Sequence, residues 1–303
     1  MMAARHLDTA PDWIAVDWGT TQLRATAMGA GGPLARAESA DGMGSLAPDQ
    51  FEPALLGLIG PWLTAACTPV LACGMLGSRQ GWAEAKYRAV PCVPLDAAAL
   101  TRVQTHDPRI TVHIAPGLRQ DQPADVMRGE ETQIAGALAL IPDYDGVFCL
   151  PGTHSKWVHI SAGEVVSFQT YMTGELFALL SGQSVLRHSI ATEGFDAVAF
   201  DVAVSDALSR PDRIAARLFT LRAESLLGNA DPVAARSRLS GLLIGIELAA
   251  AKPYWLGQPI TLIGAPALCA HYACALIAQG LHPKTLPAAD CTLAGLSKLK
   301  GAL

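Results

Sequence analysis

Charged residues are scarce: Asp, Glu, Lys and Arg make up only 16% of the 303 residues, and half the chain is hydrophobic. Disorder needs the opposite balance, so a disordered chain is excluded. An excess of positive charge is also missing. With 22 basic against 27 acidic residues the formal net charge is −5. General nucleic-acid binding needs a concentrated basic surface, so no such partner is expected. Long apolar runs are missing too, despite a mean hydropathy of +0.28. The most apolar windows, 239–251 and 260–277, are broken by Glu247 and by Pro266 and His271. A membrane span needs about 20 clean residues, so no membrane partner is expected. Arg5, Asp8 and Asp12 precede the first apolar run, unlike a secretory leader. No C-x-x-C occurs, and the cysteines number seven, so neither a disulfide framework nor a zinc knuckle is indicated. Cys73, Cys149 and Cys269 sit in apolar runs and read as buried thiols. These absences fit a reducing, cytoplasmic setting.

At about 150 residues per domain, the length predicts two domains. Residues 1–11 read as a disordered lead-in. The runs 13–17, 23–28 and 34–40 then read as short strands joined by tight turns, an antiparallel meander. A helix is expected over 51–66, a strand over 70–73, a Gly-rich loop over 74–81 and a strand over 110–115. A helix with acids in its first turn is expected over 130–141, where the helix dipole favours them. The opening pattern then recurs. Strands at 147–150, 155–160 and 164–171 again flank a Gly-Thr turn at Gly152-Thr153. This reads as an internal duplication, with lobes of residues 1–141 and 142–303. The second half continues mainly helical from 173 to 251. A strand at 260–263, a helix at 266–279, a strand near 284–286 and a last helix at 290–299 follow. That last helix is a candidate to pack back on the first lobe.

The chemistry gathers in the turns. Asp17 ends a buried strand and is followed by Gly19-Thr20-Thr21. Glycine lets the backbone approach an anion, while turn N–H groups and threonine hydroxyls donate to phosphate oxygens. Asp17 is then the candidate to orient a magnesium ion, chiefly through water. One such turn is equally an ordinary hairpin. Two of them, with a late strand–Gly264-Ala265–helix unit, form the set of parts that a nucleotide requires.

Asp17-Trp18-Gly19-Thr20-Thr21-Gln22-Leu23-Arg24 resembles the first phosphate motif of the sugar kinase/actin/heat-shock ATPase superfamily. Pro151-Gly152-Thr153-His154-Ser155-Lys156-Trp157 resembles its second phosphate motif, and Leu262-Ile263-Gly264-Ala265 its adenosine motif. More narrowly, residues 16–24, 74–82, 127–138, 150–158 and 172–180 resemble the 2-dehydro-3-deoxygalactonokinase family, from about Trp13 to the end. Two features depart from the superfamily pattern. Ala265 stands where a second glycine is usual, and Pro151 where many members carry an acid.

The resemblance implies an α/β protein of two ribonuclease-H-like lobes, the actin-like ATPase fold. Each lobe would be a mixed sheet opening with a meander and flanked by helices, with an interlobe cleft. It implies transfer of the γ-phosphate of ATP, with Mg²⁺, to the 6-hydroxyl of 2-dehydro-3-deoxy-D-galactonate. A carboxylate must accept the proton of that hydroxyl. Glu130 and Glu131 are the candidates, with Asp17 competing. Phosphate contacts fall to Gly19, Thr20, Thr21 and Arg24, and to Gly152, Thr153, His154, Ser155 and Lys156. Lys156 alternates with Trp157, so solvent is its other direction. Adenosine falls to Gly264 and Ala265. Arg79 is the first choice for the substrate carboxylate, since an arginine can bind one in bidentate fashion. Gly77, Ser78 and Gln80 would serve the hydroxyls and keto group, and Trp82 could stack on sugar carbons or belong to the core. Arg128 and Arg119 divide between pocket and surface. Gly241 and Gly245 on the helix at 232–251 serve either hinge or close packing. His188, His271 and His282 read as structural. The competing functions are a phosphatase or exopolyphosphatase-like hydrolase on the same fold, and a non-catalytic nucleotide-dependent sensor or actin-like protein. The apolar composition is also compatible with a homodimer.

Overall fold

The run Trp13–Trp18 is buried except for partial exposure at Asp17, and forms strand β1. It pairs antiparallel with β2 (Leu23–Gly29), which pairs antiparallel with β3 (Gly32–Ser39). The meander is therefore present. The computed structural model describes residues 6–7 and 9–302. Much of the expected lead-in, residues 1–5 and 8, lies outside the described residues.

Helix α1 (Phe51–Ile59) is shorter than the periodicity predicts and passes into a single 3₁₀ turn, Gly60–Trp62. Pro61 has no N–H with which to continue the α ladder. The sheet then grows by β4 (Thr68–Gly74), parallel to β1. Two short strands, β5 (Arg88–Ala89) and β6 (Thr101–Arg102), precede β7 (Ile110–Ile114). The final order is β3-β2-β1-β4-β7-β6. A hairpin of β8 (Leu118–Asp121) and β9 (Ala124–Met127) joins β5 in a small second sheet. These polar strands lack alternation, and the sequence pattern does not predict them. Helix α2 (Glu130–Leu140) follows.

Period-two alternation decides which face of the large sheet meets what. Ile14, Val16 and Trp18 pack against Phe51, Leu55 and Ile59 of α1. Trp13, Ala15, Leu71 and Cys73 face the other way, toward Leu296 and Leu299 of the last helix.

The later part repeats this plan. β10 (Gly146–Leu150), β11 (Ser155–Ser161) and β12 (Glu164–Tyr171) are followed by helices α3 (Thr173–Gly182), α4 (Ala197–Ser209), α5 (Ile214–Leu226), α6 (Pro232–Ala250) and α7 (Lys252–Trp255). Then come β13 (Ile260–Gly264), α8 (Pro266–Ile277), β14 (Lys284–Pro287) and α9 (Ala288–Gly301). The strand order is β12-β11-β10-β13-β14, with β10, β13 and β14 parallel. Helix α6 lies directly on α4: a Cβ on Gly241 would sit 2.5 Å from the Phe200 carbonyl oxygen, and one on Gly245 2.6 Å from Ala207 Cβ. These glycines therefore serve close helix packing.

The chain divides into two compact units. One comprises the residues up to Tyr144, residues 162–166 and everything from Ala288; the other holds 145–161 and 167–287. Within the first, α9 lies backbone to backbone on α2. A Cβ on Gly295 would fall 2.1 Å from the Thr132 carbonyl oxygen. No helix among the described residues is long and apolar enough to cross a membrane. All seven cysteines are free, and Cys73, Cys149 and Cys269 are buried.

Candidate active site

In the first unit, Asp17 stands one residue before the end of β1 and opposite Arg24 of β2. Arg24 Nη1 lies 3.4 Å from the Asp17 carboxylate. Burial pushes the Asp17 pKa above the usual range, Arg24 pulls it down, and the negative charge of Glu130 pushes it up again. The turn after it is closed by the Gly19 N–H donating to the Gln22 carbonyl at 2.9 Å. A second segment, Asp41–Gly44, clamps this turn. Met43 and Gly44 N–H groups donate to the Gly19 and Thr20 carbonyls at 3.0 and 2.9 Å, and Trp18 Nε1 donates to the Asp41 carbonyl at 2.8 Å. Sequence reasoning missed this clamp. Its signal was the Asp-Gly-Met-Gly run, where a side chain at Gly42 would meet the Thr20 carbonyl oxygen at 2.3 Å.

Two glycines bring the acidic helix start to the end of β1. Gly74 has φ +97°, and a Cβ there would lie 2.6 Å from the Trp18 carbonyl oxygen; Gly129 has φ +104° and abuts Gly74. Only glycine takes such positions without strain. Glu130 and Glu131 then open α2 at its positive end. Glu131 is fully buried. Its carboxylate accepts from the Gly129 N–H at 2.6 Å and from Thr132 Oγ1 at 3.0 Å. Burial foremost, and then the charge of Glu130, push its pKa up to about 8. Glu130 is half-buried and accepts from the Arg128 N–H at 3.0 Å.

The loop at 74–81 is tightly wound. The Ser78 N–H donates to Met75, Gly81 to Ser78, Trp82 to Leu76 and Ala85 to Gly77. Arg79 is largely exposed, its side chain 82% accessible, with Glu84 3.7 Å away. Gln80 is exposed, Gly77 and Ser78 are buried, and Ser78 Oγ has no protein partner. Trp82 stacks on Phe51 with ring centroids 6.3 Å apart and meets Trp18 edge-on at 6.2 Å. Arg128 lies beneath the loop, close to Gly77. Its Nη2 donates to the Ala85 carbonyl at 2.7 Å, and its guanidinium sits 4.3 Å from the Tyr87 ring centre. Arg119 pairs with Asp121 on the surface.

In the second unit, the turn Pro151–His154 joins β10 to β11. Two neighbours press on it. A Cβ on Gly174 would lie 2.3 Å from the Gly152 carbonyl oxygen, and Gly264 abuts Pro151. The Glu175 N–H donates to the Thr153 carbonyl at 2.9 Å, and the Glu175 carboxylate meets His154 Nε2 at 2.5 Å. Lys156 does not point to solvent. It is buried, and its Nζ donates to the His154 carbonyl at 3.2 Å. Ser155 is also buried. Ala265 has φ −68° and ψ 134°, ordinary extended backbone, so replacing the usual glycine introduces no strain. Beside the turn lies a cavity of about 410 Å³ walled by Gly152, Thr153, Thr173, Gly174, Phe177, Phe195, Arg236, His271 and Tyr272, among others. Phe195 and His271 stack with centroids 4.3 Å apart.

No group of three or more His, Cys, Asp or Glu side chains gathers as a metal cage among the described residues. Magnesium does not require one. It holds its own water and substrate phosphates and takes one or two carboxylates. Asp17, a half-buried carboxylate beside the Gly19-Thr20-Thr21 turn, fits that donor set.

Residues 17–299 match the family model described as 2-keto-3-deoxy-galactonokinase. A Rhizobium meliloti protein described as a probable 2-dehydro-3-deoxygalactonokinase is 38% identical, covering 98% of this chain and 99% of its own. The 2-dehydro-3-deoxygalactonokinase of Escherichia coli is 35% identical, covering 96% and 98%. A Sinorhizobium meliloti crystal structure described with that same activity superposes with a TM-score of 0.89 at 38% identity, covering 96% of each chain. Component A of the (R)-2-hydroxyglutaryl-CoA dehydratase of Acidaminococcus fermentans reaches a TM-score of 0.51 at 14% identity over 96% of this chain and 98% of its own, and shares the fold. The glycine-built carboxylate cluster of the first unit and the Gly-Thr turn of each unit thus stand in a chain that belongs to the 2-keto-3-deoxy-galactonokinase family.

Proposed function

We propose that this enzyme transfers the γ-phosphate of ATP to the 6-hydroxyl of 2-dehydro-3-deoxy-D-galactonate. One observation carries the reading beyond family membership. Asp17, Glu130 and Glu131 are brought to one place in the first unit by backbone contacts that only Gly74 and Gly129 permit. The two large sheets open with the same order of strands, which supports reading them as the ribonuclease-H-like lobes of an actin-like ATPase. A hydrolase or an assembly protein has no use for the wound loop at 74–81, which supports the kinase over both.

Phosphoryl transfer is mostly positioning and charge neutralisation. Thr20 and Thr21 in one turn, and Gly152, Thr153 and His154 in the other, would donate to phosphate oxygens, while Gly19 closes the first turn through its N–H and the buried Ser155 anchors the second from the core. Lys156, folded onto the second turn, contributes positive charge there. Arg24 holds the Asp17 carboxylate and screens it. Asp17 would hold magnesium, which when bound neutralises phosphate charge. Gly264 and Ala265, with the 410 Å³ cavity, suit adenosine.

Glu130 is the better base of the pair. Glu131 is fully buried and holds its proton to about pH 8, whereas Glu130 is half-buried at the first turn of α2. Arg79, largely exposed, would meet the substrate carboxylate, with the exposed Gln80 serving its oxygens and Ser78 lying buried beneath them in the loop. Arg128 and Trp82 act from below, fixing the loop against Tyr87 and Phe51. The test is product analysis. ATP, magnesium and the sugar acid should yield ADP and a 6-phosphorylated acid identified by phosphorus–proton correlation NMR. Release of inorganic phosphate instead would overturn the kinase reading in favour of a hydrolase.

A further inference from the structure

Glu247 is not part of either phosphate turn, yet it is the most heavily engaged carboxylate of the second unit. It sits on α6 and is only 2% exposed. Its Oε1 accepts from Trp157 Nε1 at 2.8 Å and its Oε2 from the Tyr272 hydroxyl at 2.7 Å. The hydroxyls of Thr173 and Ser155 also hydrogen-bond to it, and Ser155 and Tyr272 lie 2.9 Å apart. These four partners are neutral. A carboxylate taken out of water without a cation is costly, and a well-packed apolar side chain commonly does as well for stability. The donors explain what the carboxylate does instead. Ser155 directly follows the second phosphate turn. Thr173 precedes Gly174, which lies against the Gly152 carbonyl oxygen with no room for a side chain. Tyr272 stands on α8, the helix that Gly264-Ala265 opens. Thr173 and Tyr272 both line the 410 Å³ cavity.

We infer that Glu247 is a positioning residue for the nucleotide: one buried carboxylate fixes the phosphate turn, the start of α3 and the adenosine-side helix relative to each other. This rests on the reading of that cavity as the nucleotide site. Small displacements of groups that contact a reacting ligand are expensive, so the effect should fall on nucleotide binding and spare the sugar acid.

The test compares wild type, Glu247→Gln and Tyr272→Phe. Gln keeps the volume but cannot accept from all four donors. Phe keeps the ring and removes the hydroxyl that bonds both Ser155 and Glu247, and it serves if the Gln variant does not fold. Calorimetric titration with ADP and magnesium should give a Kd raised roughly ten-fold in each single variant, a loss of about 1.4 kcal/mol. The double variant should be little worse than either single one, as expected for residues in one network. KM for the sugar acid should stay within about two-fold. A lowered unfolding midpoint with unchanged nucleotide Kd would overturn the inference and leave Glu247 as packing. Equal rises in both KM values would also overturn it. Failure of the wild type to bind ADP would overturn the nucleotide-site reading and this inference with it.

Discussion

Replacing Glu131 with glutamine should change how stability depends on pH. The carboxyl of Glu131 is fully buried, and its pKa is raised from 4.5 to about 8. Between those values the folded protein keeps a proton that the unfolded chain gives up. The folded state binds more protons there, so its stability falls as pH rises through this window. A rise from 4.5 to about 8 corresponds to roughly 5 kcal/mol at most. The glutamine of the Glu131→Gln variant carries no proton to lose, and its amide oxygen can still accept from the Gly129 N–H. Urea unfolding at about pH 5 and about pH 8.5, without nucleotide or magnesium, should show the wild type losing several kcal/mol more than the variant. Unfolding free energies that run parallel across this range would refute the claim that Glu131 is held protonated.

The remaining predictions concern activity and backbone. Glu130→Gln should lower kcat by about 100-fold or more, within the range general-base catalysis supplies, with little change in either KM; a kcat within about three-fold of wild type would remove Glu130 as the base. Asp17→Asn should lose most of kcat in steady-state assays, with a raised magnesium requirement. Arg79→Ala should raise KM for the sugar acid about ten-fold or more and leave KM for ATP alone, and an unchanged sugar-acid KM would take that residue out of the pocket. Gly74→Ala meets both a positive φ and the Trp18 carbonyl oxygen at 2.6 Å. It should destabilise by about 2–3 kcal/mol or more, read as a lowered melting temperature, because side chains at such positions are strained.

Much of the fold was legible because its signals are local. Apolar runs bounded by Gly-Thr turns marked both meanders, and acids at 130–131 marked the start of α2. The small sheet of β5, β8 and β9 was not legible, since its polar strands gain their pairing only from the tertiary fold. Helix α1 was overextended because apolar periodicity continued past Pro61, where the ladder could not. The site divides in the same way. The Asp17 turn could be found from residue types, but its clamp at Asp41–Gly44 could not, because the contact joins segments some way apart in the chain and is made mostly by backbone, with one indole N–H. The direction of Lys156 was likewise open, since strand alternation says which face a residue takes and nothing about a side chain folding onto its own turn. Glu247 was visible only as an interruption of an apolar window. Its role depends on donors from three distant segments.

The most direct measurement is acceptor-dependent ATP turnover, followed by a coupled ADP assay with magnesium and three acceptor conditions: 2-dehydro-3-deoxy-D-galactonate, its gluconate epimer and none. The account predicts rapid ADP formation with the galactonate form and background rates without acceptor. ATP consumption that proceeds equally well with no sugar acid present would contradict it.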